Sequence, residues 1–254
     1  MKFQLLSDIH LEYYKKMPAI SKIITPSAPN LILAGDVCYC KHKNFVNFFE
    51  KISPLFENIF YVLGNHEYYT NIEMGLYSLG EVELDISYKL EHLKNVHIIQ
   101  NDFKQIGDIV IIGSTLWSYL SKKDFTGNIC RLTDTKFIKY RNKLWIDPTI
   151  TNKLHLQYKQ RINDLLSSFD DKKKLVITHF LPSFKCVQPK YKYDKLNKAY
   201  YSNCDELVKK ADIWCCGHSN KFTKKIIENT PVFINPVGYL WEDTNYRRDF
   251  TFEL

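Results

Sequence analysis

The sequence predicts an α/β protein in which helices pack against β-sheets. Short apolar runs rich in β-branched residues recur along the 254 residues, and continuous runs of this kind are typical of strands buried on both faces. Segments with apolar residues at helical spacing lie between several of these runs. Because no evident linker interrupts the chain, we expect a single domain over residues 1–254.

The strands and helices are predicted from these two periodicities. Eight runs are predicted to be strands: residues 3–6, 31–34, 59–63, 96–99, 109–112, 175–178, 213–216 and 232–234. Helices are predicted at residues 43–57, 73–93 and 152–169. Their alternation with the strands implies layers of helix, sheet and helix. Residues 118–150 and 183–202 break the pattern and are predicted to form long loops or irregular caps, which in a compact domain are often functional.

Composition limits the class of protein. No apolar run approaches the roughly 20 residues of a membrane span, and the first ten residues lack a signal peptide's apolar core. The seven cysteines are an odd number, and Cys38, Cys215 and Cys216 lie in or beside apolar runs, which favours buried, reduced thiols over a zinc cluster. We therefore expect a cytoplasmic protein without membrane contact. Its net charge of +7 favours anionic partners.

Polar side chains follow five of the predicted strands at the point where each strand ends. They are Asp8, His10, Asp36, Asn65, His66, His179, His218 and Asn220. Because the carboxyl ends of strands in an α/β sheet converge on one crevice, we expect these side chains to meet. Aspartate and imidazole together suit Mn, Fe, Zn or Ni, whereas an all-oxygen cage would indicate Mg or Ca. A Gly-Asp turn also suits a carboxylate that bridges two ions about 4 Å apart.

The motifs, taken in order, resemble those of the calcineurin-like metallophosphoesterases. The chain carries D-x-H at 8–10, G-D at 35–36, G-N-H-E at 64–67, a lone His179, and G-H-x-N at 217–220 where the family has G-H-x-H. The segments "TLW", "THFLPS" and "NPVGY" resemble a small single-domain branch of that superfamily. The resemblance implies a four-layer α-β-β-α sandwich of two packed mixed β-sheets and metal-dependent hydrolysis of phosphoesters.

The resemblance also implies a role for each position. The first metal would be held by Asp8 and His10, the second by Asn65, His179 and His218, with Asp36 bridging the two. His66 would face the substrate and protonate the leaving oxygen, oriented by an acidic neighbour, Glu67 or Asp36. A hydroxide that bridges the metals would attack phosphorus in line. The implied cofactors are two divalent ions, Mn first, with Fe, Zn, Ni or Mg as alternatives.

Asn220 replaces the last histidine of the family, which returns to the first metal, and it leaves two interpretations open. In the first interpretation the site works: the neutral amide oxygen of Asn220 binds a hard cation, although it is a weaker donor than imidazole, or it reaches only a metal-bound water. Alternatively, the site has lost its chemistry and the chain is a non-catalytic scaffold or binding protein, although the retained His66 opposes this interpretation.

The substrate class is less constrained than the chemistry. The motifs predict an anionic phosphoester, either a monoester or a diester. A nucleotide, a small phosphodiester and, for a nuclease, a nucleic acid all fit the positive charge. The basic, aromatic stretch at residues 185–201 would either stack on a nucleic-acid strand or form an ordinary solvated loop.

Overall fold

Two large β-sheets form the centre of the protein. A computed structural model describes residues 1–70, 75–124, 132–141 and 144–254. The first sheet contains β1 (Lys2–Leu6), β2 (Asn30–Ala34), β3 (Asn58–Val62), β4 (Val96–Ile98) and β13 (Thr251–Glu253). Its strand order is β13-β1-β2-β3-β4, and only β13 runs antiparallel to its neighbour.

The second sheet has antiparallel strands at both edges. It contains β5 (Asp102–Ile106), β6 (Ile109–Ser114), β9 (Lys173–Thr178), β10 (Ile213–Cys216), β11 (Thr223–Ile227) and β12 (Thr230–Ile234). The order is β11-β12-β10-β9-β6-β5; β11 and β5 pair antiparallel with β12 and β6, and the remaining pairs are parallel. β7 (Lys139–Arg141) and β8 (Leu144–Trp145) pair antiparallel in a separate two-stranded sheet.

All eight predicted strands are present, and five further strands were not predicted. β5, β11 and β13 lie at sheet edges, where one or both faces meet solvent, so their sequences mix charged and apolar residues. β7 and β8 are only three and two residues long. Continuous apolar character therefore detected every interior strand and one edge strand, β4, but missed the other three edge strands, which are not buried on both faces.

Two of the six described helices, α3 and α5, begin at capping residues. The described helices are α1 (Ile20–Ile23), α2 (Asn44–Ile52), α3 (Leu79–Leu90), α4 (Asp134–Phe137), α5 (Pro148–Ser168) and α6 (Asp205–Val208). Ser78 and Glu81 form a capping box at the start of α3. α5 begins earlier than the periodicity predicted, because the Asp147 carboxylate accepts a hydrogen bond from the Ile150 amide and Pro148 occupies the first helical position.

Successive side chains of a strand point to opposite faces of its sheet, and this alternation creates the four layers. Phe3 and Leu5 of β1 belong to one buried cluster with Ile111 and Ile177 of the second sheet, so the two sheets pack face to face. The intervening residues of the strands join a larger cluster that contains the apolar faces of the helices. That cluster includes Leu6, Leu33, Phe45, Phe48, Val176, Trp214, Leu154 and Leu165. The predicted α-β-β-α sandwich of two mixed sheets is confirmed.

Two findings in the described residues relate to the composition. No described helix combines the length and apolarity needed to cross a membrane. The six described cysteines are all buried and form no disulfide. They are Cys38, Cys40, Cys186, Cys204, Cys215 and Cys216.

The turns after the strands are tightly constrained. Gly35, directly after β2, has φ +85°, and a Cβ placed there would lie 2.4 Å from His179 Nδ1. Gly217, after β10, has no room either, because its Cβ would lie 2.5 Å from the Ala34 carbonyl oxygen. Only glycine therefore lets the strand ends of the two sheets approach this closely.

Gly35→Ala tests this constraint. The left-handed backbone and the contact with His179 should lower the free energy of unfolding by about 2 kcal/mol or more. Gly80→Ala in α3 is the control, since nothing lies within 4 Å of its added Cβ, and it should gain up to about 1 kcal/mol. Urea unfolding measures both changes, and equal stabilities for the two variants would contradict the close approach.

Candidate metal centre

The predicted site residues meet at one cavity of about 390 Å³ beside the carboxyl ends of the strands. Seven of the eight line it: Asp8, His10, Asp36, Asn65, His66, His218 and Asn220. The eighth, His179, is fully buried behind them. Because β1, β2 and β3 belong to one sheet and β9 and β10 to the other, the site spans both sheets.

Four of these residues have strained backbone. Asp8, His10, Asp36 and His218 have φ between 50° and 55°, in the left-handed region. Left-handed conformations are uncommon for non-glycine residues, and such strain concentrates at functional sites. These conformations turn the chain sharply after β1, β2 and β10.

One group of donor atoms surrounds His179 Nε2. This nitrogen lies 2.9 Å from Asn65 Oδ1, 3.0 Å from His218 Nδ1 and 3.4 Å from Asp36 Oδ1. The opposite nitrogen, Nδ1, lies 2.9 Å from the Ala34 carbonyl oxygen and donates to it, so Nε2 of the neutral ring carries a lone pair. Electron pairs from nitrogen and oxygen atoms thus face one another in a buried space. A divalent cation satisfies such a donor set, so these residues fit a metal ion.

A second group lies on the other side of the shared aspartate. Ligand atoms of Asp8, His10 and Asp36 all lie within 4.8 Å of one another. His10 Nε2 is 3.9 Å from Asp36 Oδ2, while Asp8 Oδ1 accepts a hydrogen bond from the His218 amide at 3.0 Å. Asp36 therefore belongs to both groups, with Oδ1 directed to one and Oδ2 to the other.

Buried charges set the electrostatics of the metal-free protein. Burial raises the pKa of Asp8 to about 6. Burial also acts to raise the pKa of Asp36, but the His179 and His66 imidazoles outweigh it and hold that pKa well below its usual range. Burial acts to lower the pKa of His179, yet the Asp36 carboxylate prevails and the pKa is about 9. Without metal, the ionised Asp36 thus keeps a proton on His179 at neutral pH.

His66 faces the cavity between two partners that the sequence did not reveal. Its Nδ1 lies 2.8 Å from Glu12 Oε1, and its Nε2 lies 3.3 Å from the Tyr239 hydroxyl. The expectation that Glu67 orients this ring was wrong, whereas Asp36, the other candidate, does approach it. Asp36 Oδ2 lies 4.0 Å from Nε2, farther away than Glu12 lies from Nδ1, and Asp36 Oδ1 accepts a hydrogen bond from the backbone amide of His66.

Glu67 has a structural role at the turns. Its carboxylate accepts hydrogen bonds from the backbone amides of Asp36, Val37 and Gly64 and from the Tyr61 hydroxyl. These bonds, 2.7 to 3.0 Å long, tie the turn after β2 to the turn after β3. Glu67 thereby holds the backbone that carries Asp36, without contacting the ring of His66.

Asp134 and Tyr69 hold the Asn65 side chain. Asn65 Nδ2 donates to Asp134 Oδ1 at 2.9 Å and to the Tyr69 hydroxyl at 3.2 Å. Tyr69 in turn donates to Asp134 at 2.6 Å. With the amide nitrogen fixed in this way, Asn65 presents its oxygen to His179. Asp134 lies within an irregular segment of the sequence, so no motif indicated this contact.

Asn220 lies on the cavity wall and links two of its sides. Its amide nitrogen donates to the Tyr191 hydroxyl at 2.9 Å and, at 3.5 Å, to Glu242 Oε1. Tyr191 belongs to the irregular stretch at residues 183–202, and several residues of that stretch line the cavity. The stretch is built of short 3₁₀ turns, as expected for an irregular cap.

The walls of the cavity are aromatic and acidic. Tyr239 stacks on His10 with ring centroids 4.3 Å apart, and Tyr200 stacks on His218 at 5.0 Å. Among the described residues, no lysine or arginine lines the cavity. Two lysines of the basic stretch are paired elsewhere: Lys185 with Asp205 and Glu228, and Lys198 with Asp124.

Comparison with known proteins establishes the family. The sequence profile of the calcineurin-like phosphoesterases matches residues 1–222. The chain belongs to this family. Protein L509 of Acanthamoeba polyphaga mimivirus is 30% identical in an alignment of 261 positions, gaps included. The alignment covers 95% of this chain and 92% of that protein.

A solved structure shares the fold. The crystal structure of phosphopantetheinyl hydrolase from Mycobacterium tuberculosis superposes with a TM-score of 0.71 at 16% identity, covering 94% of this chain and 89% of that one. At this identity the similarity concerns the fold alone. Family membership and the clustered His and Asp side chains make the chain a metal-dependent phosphoester hydrolase.

The pKa values of Asp8 and His179 predict how metal binding depends on pH. A cation at His179 must displace the proton that Asp36 stabilises, and protonation of Asp8 adds to this competition near pH 6. Apparent Mn affinity should therefore rise about tenfold per pH unit between pH 6 and 8. Titration calorimetry in buffers of different ionisation enthalpy should detect the released proton. A pH-independent affinity and no proton release would contradict this electrostatic account.

Proposed function

We propose that the protein hydrolyses a small phosphoester with two divalent metal ions, of which Mn is the first choice. The observation that carries the proposal is the position of Asp36, whose two carboxylate oxygens face the two donor groups. Asp8 and His10 would complete the first site, and Asn65, His179 and His218 the second. Since the ligands come from both sheets, we propose that residues 1–254 act as one domain. The buried free thiols support a reducing compartment, the cytoplasm.

The metal ions and the protein side chains would have separate tasks. When bound, the two cations supply a hydroxide nucleophile at neutral pH and neutralise charge on the phosphoryl group. His66 would protonate the leaving oxygen through Nε2, the nitrogen on the Tyr239 side. Burial keeps the Tyr239 hydroxyl protonated by raising its pKa, so it can hold a phosphoryl or leaving oxygen beside His66.

The cavity supports a small substrate over a nucleic acid. Its volume of about 390 Å³ is at the small end of ligand pockets. A nucleic-acid strand requires a series of cationic contacts along its backbone, and the described lining offers none. The tyrosine rings favour a substrate with a planar or apolar group beside the phosphate. We therefore propose a small phosphodiester or phosphomonoester, and nuclease activity as the second candidate.

Hydrolysis of bis(p-nitrophenyl) phosphate by metal-free protein titrated with Mn tests this function. The wild type should require Mn, and His66→Ala should lower kcat by about 100-fold or more, because general acid catalysis contributes that much. His92→Ala is the control, as this exposed histidine contacts Glu50 far from the site, and it should leave the rate unchanged.

Two outcomes would change the proposal. No Mn-dependent hydrolysis of this diester, of p-nitrophenyl phosphate or of single-stranded DNA would favour a non-catalytic binding protein. Cleavage of DNA with a steep loss of activity on added salt would favour the nuclease.

Asn220 is proposed as a weak ligand of the first metal. Its amide nitrogen is engaged with Tyr191 and Glu242, so the side-chain oxygen is the atom left to face a cation. Asn220→Ala should weaken one of two Mn sites, while Asn220→His, with a stronger donor, should tighten it. His92→Ala, an exposed histidine that does not line the cavity, is the control. Equal Mn affinities for all four proteins by calorimetry would remove Asn220 from the ligand set.

A further inference from the structure

Glu12 lies between the two imidazoles that face the first metal site. Its Oε1 atom is 3.1 Å from His10 Nδ1 and 2.8 Å from His66 Nδ1. The two rings meet nearly edge to face, with centroids 4.4 Å apart. One carboxylate oxygen thus contacts both a proposed metal ligand and the proposed general acid.

Local backbone structure brings Glu12 to this position. His10 has left-handed backbone and precedes a 3₁₀ turn at Leu11–Tyr13, in which the Tyr13 amide donates to the His10 carbonyl. The turn folds the chain back, so that a side chain only two residues away reaches His10 Nδ1. His66 comes from the turn after β3, so the contact between the two turns forms only in the folded protein.

Burial makes these hydrogen bonds energetically important. The Glu12 side chain is 3% exposed, and burying a carboxylate is costly unless it is hydrogen-bonded. Its other oxygen, Oε2, has no hydrogen-bond partner among the residues that the structure describes. The two imidazoles therefore provide the hydrogen bonds that compensate the buried charge.

We propose that Glu12 is a positioning residue that fixes both rings at once, an inference that rests on the proposed function. By accepting from Nδ1–H of each ring, the carboxylate keeps a hydrogen on both Nδ1 atoms and turns both Nε2 atoms away from itself. In His10 this leaves the lone pair of Nε2 directed toward Asp36 and the first metal site. In His66, whose ring carries a hydrogen on both nitrogens when it acts as the acid, it leaves Nε2–H beside the Tyr239 hydroxyl, on the cavity side.

Each contact has its own measurable effect. A carboxylate behind a ligating histidine typically changes metal affinity or activity by about 10- to 100-fold, so the contact with His10 should appear in Mn affinity. The contact with His66 should appear in the dependence on the leaving group. General acid catalysis matters more for phenol than for the more acidic p-nitrophenol, because phenolate is the poorer leaving group.

The experiment compares wild type, Glu12→Ala and Glu12→Gln. Mn binding is measured by calorimetry, and kcat at saturating Mn is measured on two diesters of similar shape, bis(p-nitrophenyl) phosphate and diphenyl phosphate. Glu12→Ala should bind two Mn ions about 10- to 100-fold more weakly in total affinity. It should lose about tenfold more activity on diphenyl phosphate than on the nitrophenyl ester. Glu12→Gln, which keeps an oxygen acceptor, should recover part of both losses.

Two further variants separate positioning from general structural damage. Glu83→Gln changes another largely buried carboxylate, which accepts from the Tyr68 hydroxyl at 2.8 Å, and it should leave Mn affinity and the substrate ratio unchanged. In a His66→Ala background, Glu12→Ala should no longer alter the substrate ratio, because the ring that it positions is absent. A further change in the ratio in that background would overturn the contact with His66.

The remaining outcomes also decide the inference. Equal losses on both diesters together with unchanged Mn affinity would mean that Glu12 has only a structural role. Loss of one whole equivalent of Mn in Glu12→Ala would make Glu12 a metal ligand, not a positioning residue. If the wild type hydrolyses neither diester, the proposed function fails in this form. In that case Mn affinity alone tests the role of Glu12. Equal Mn affinities of the wild type and Glu12→Ala would overturn the inference.

Discussion

The buried carboxylate of Asp36 is the constraint on which the site depends. A negative charge that is 2% exposed is tolerated only when positive or hydrogen-bond-donating groups surround it, and here the His66 amide and the His179 ring do so. Glu67 fixes the backbone that carries Asp36, and Gly35 gives the turn its left-handed conformation. The two sheets must therefore meet at this carboxylate, because its partners follow strands of both.

The backbone of the site residues at these turns is strained. Four site residues adopt left-handed conformations, each of which costs roughly 1 to 3 kcal/mol. The parallel strands behind them, buried on both faces and packed in a four-layer core, supply the rigidity that holds this geometry. The fold thus holds the polar ends of its strands close together, with their candidate ligand atoms gathered in one place.

Around this centre, polar contacts link residues that are distant in sequence. Glu12 and Tyr239 approach His66 from opposite sides, while Asp134 and Tyr69 hold Asn65. Each of these side chains contacts a candidate site residue, and neither Glu12 nor Asp134 lies in one of the motifs. Such contacts decide which atom of a ring or amide faces the cavity, and hence whether it can bind metal or transfer a proton.

The sequence by itself determined the interior strands, the order of the motifs and the family, because continuous apolar runs and short motifs are local patterns. It also placed the eight polar residues at strand ends, which was sufficient to predict that they meet. Tertiary structure alone decided that Glu12, not Glu67, contacts the His66 ring, that Asn220 is held by Tyr191 and Glu242, and that edge strands complete both sheets. These features depend on contacts between segments far apart in the chain, and no local periodicity encodes which distant side chain will fill a given space.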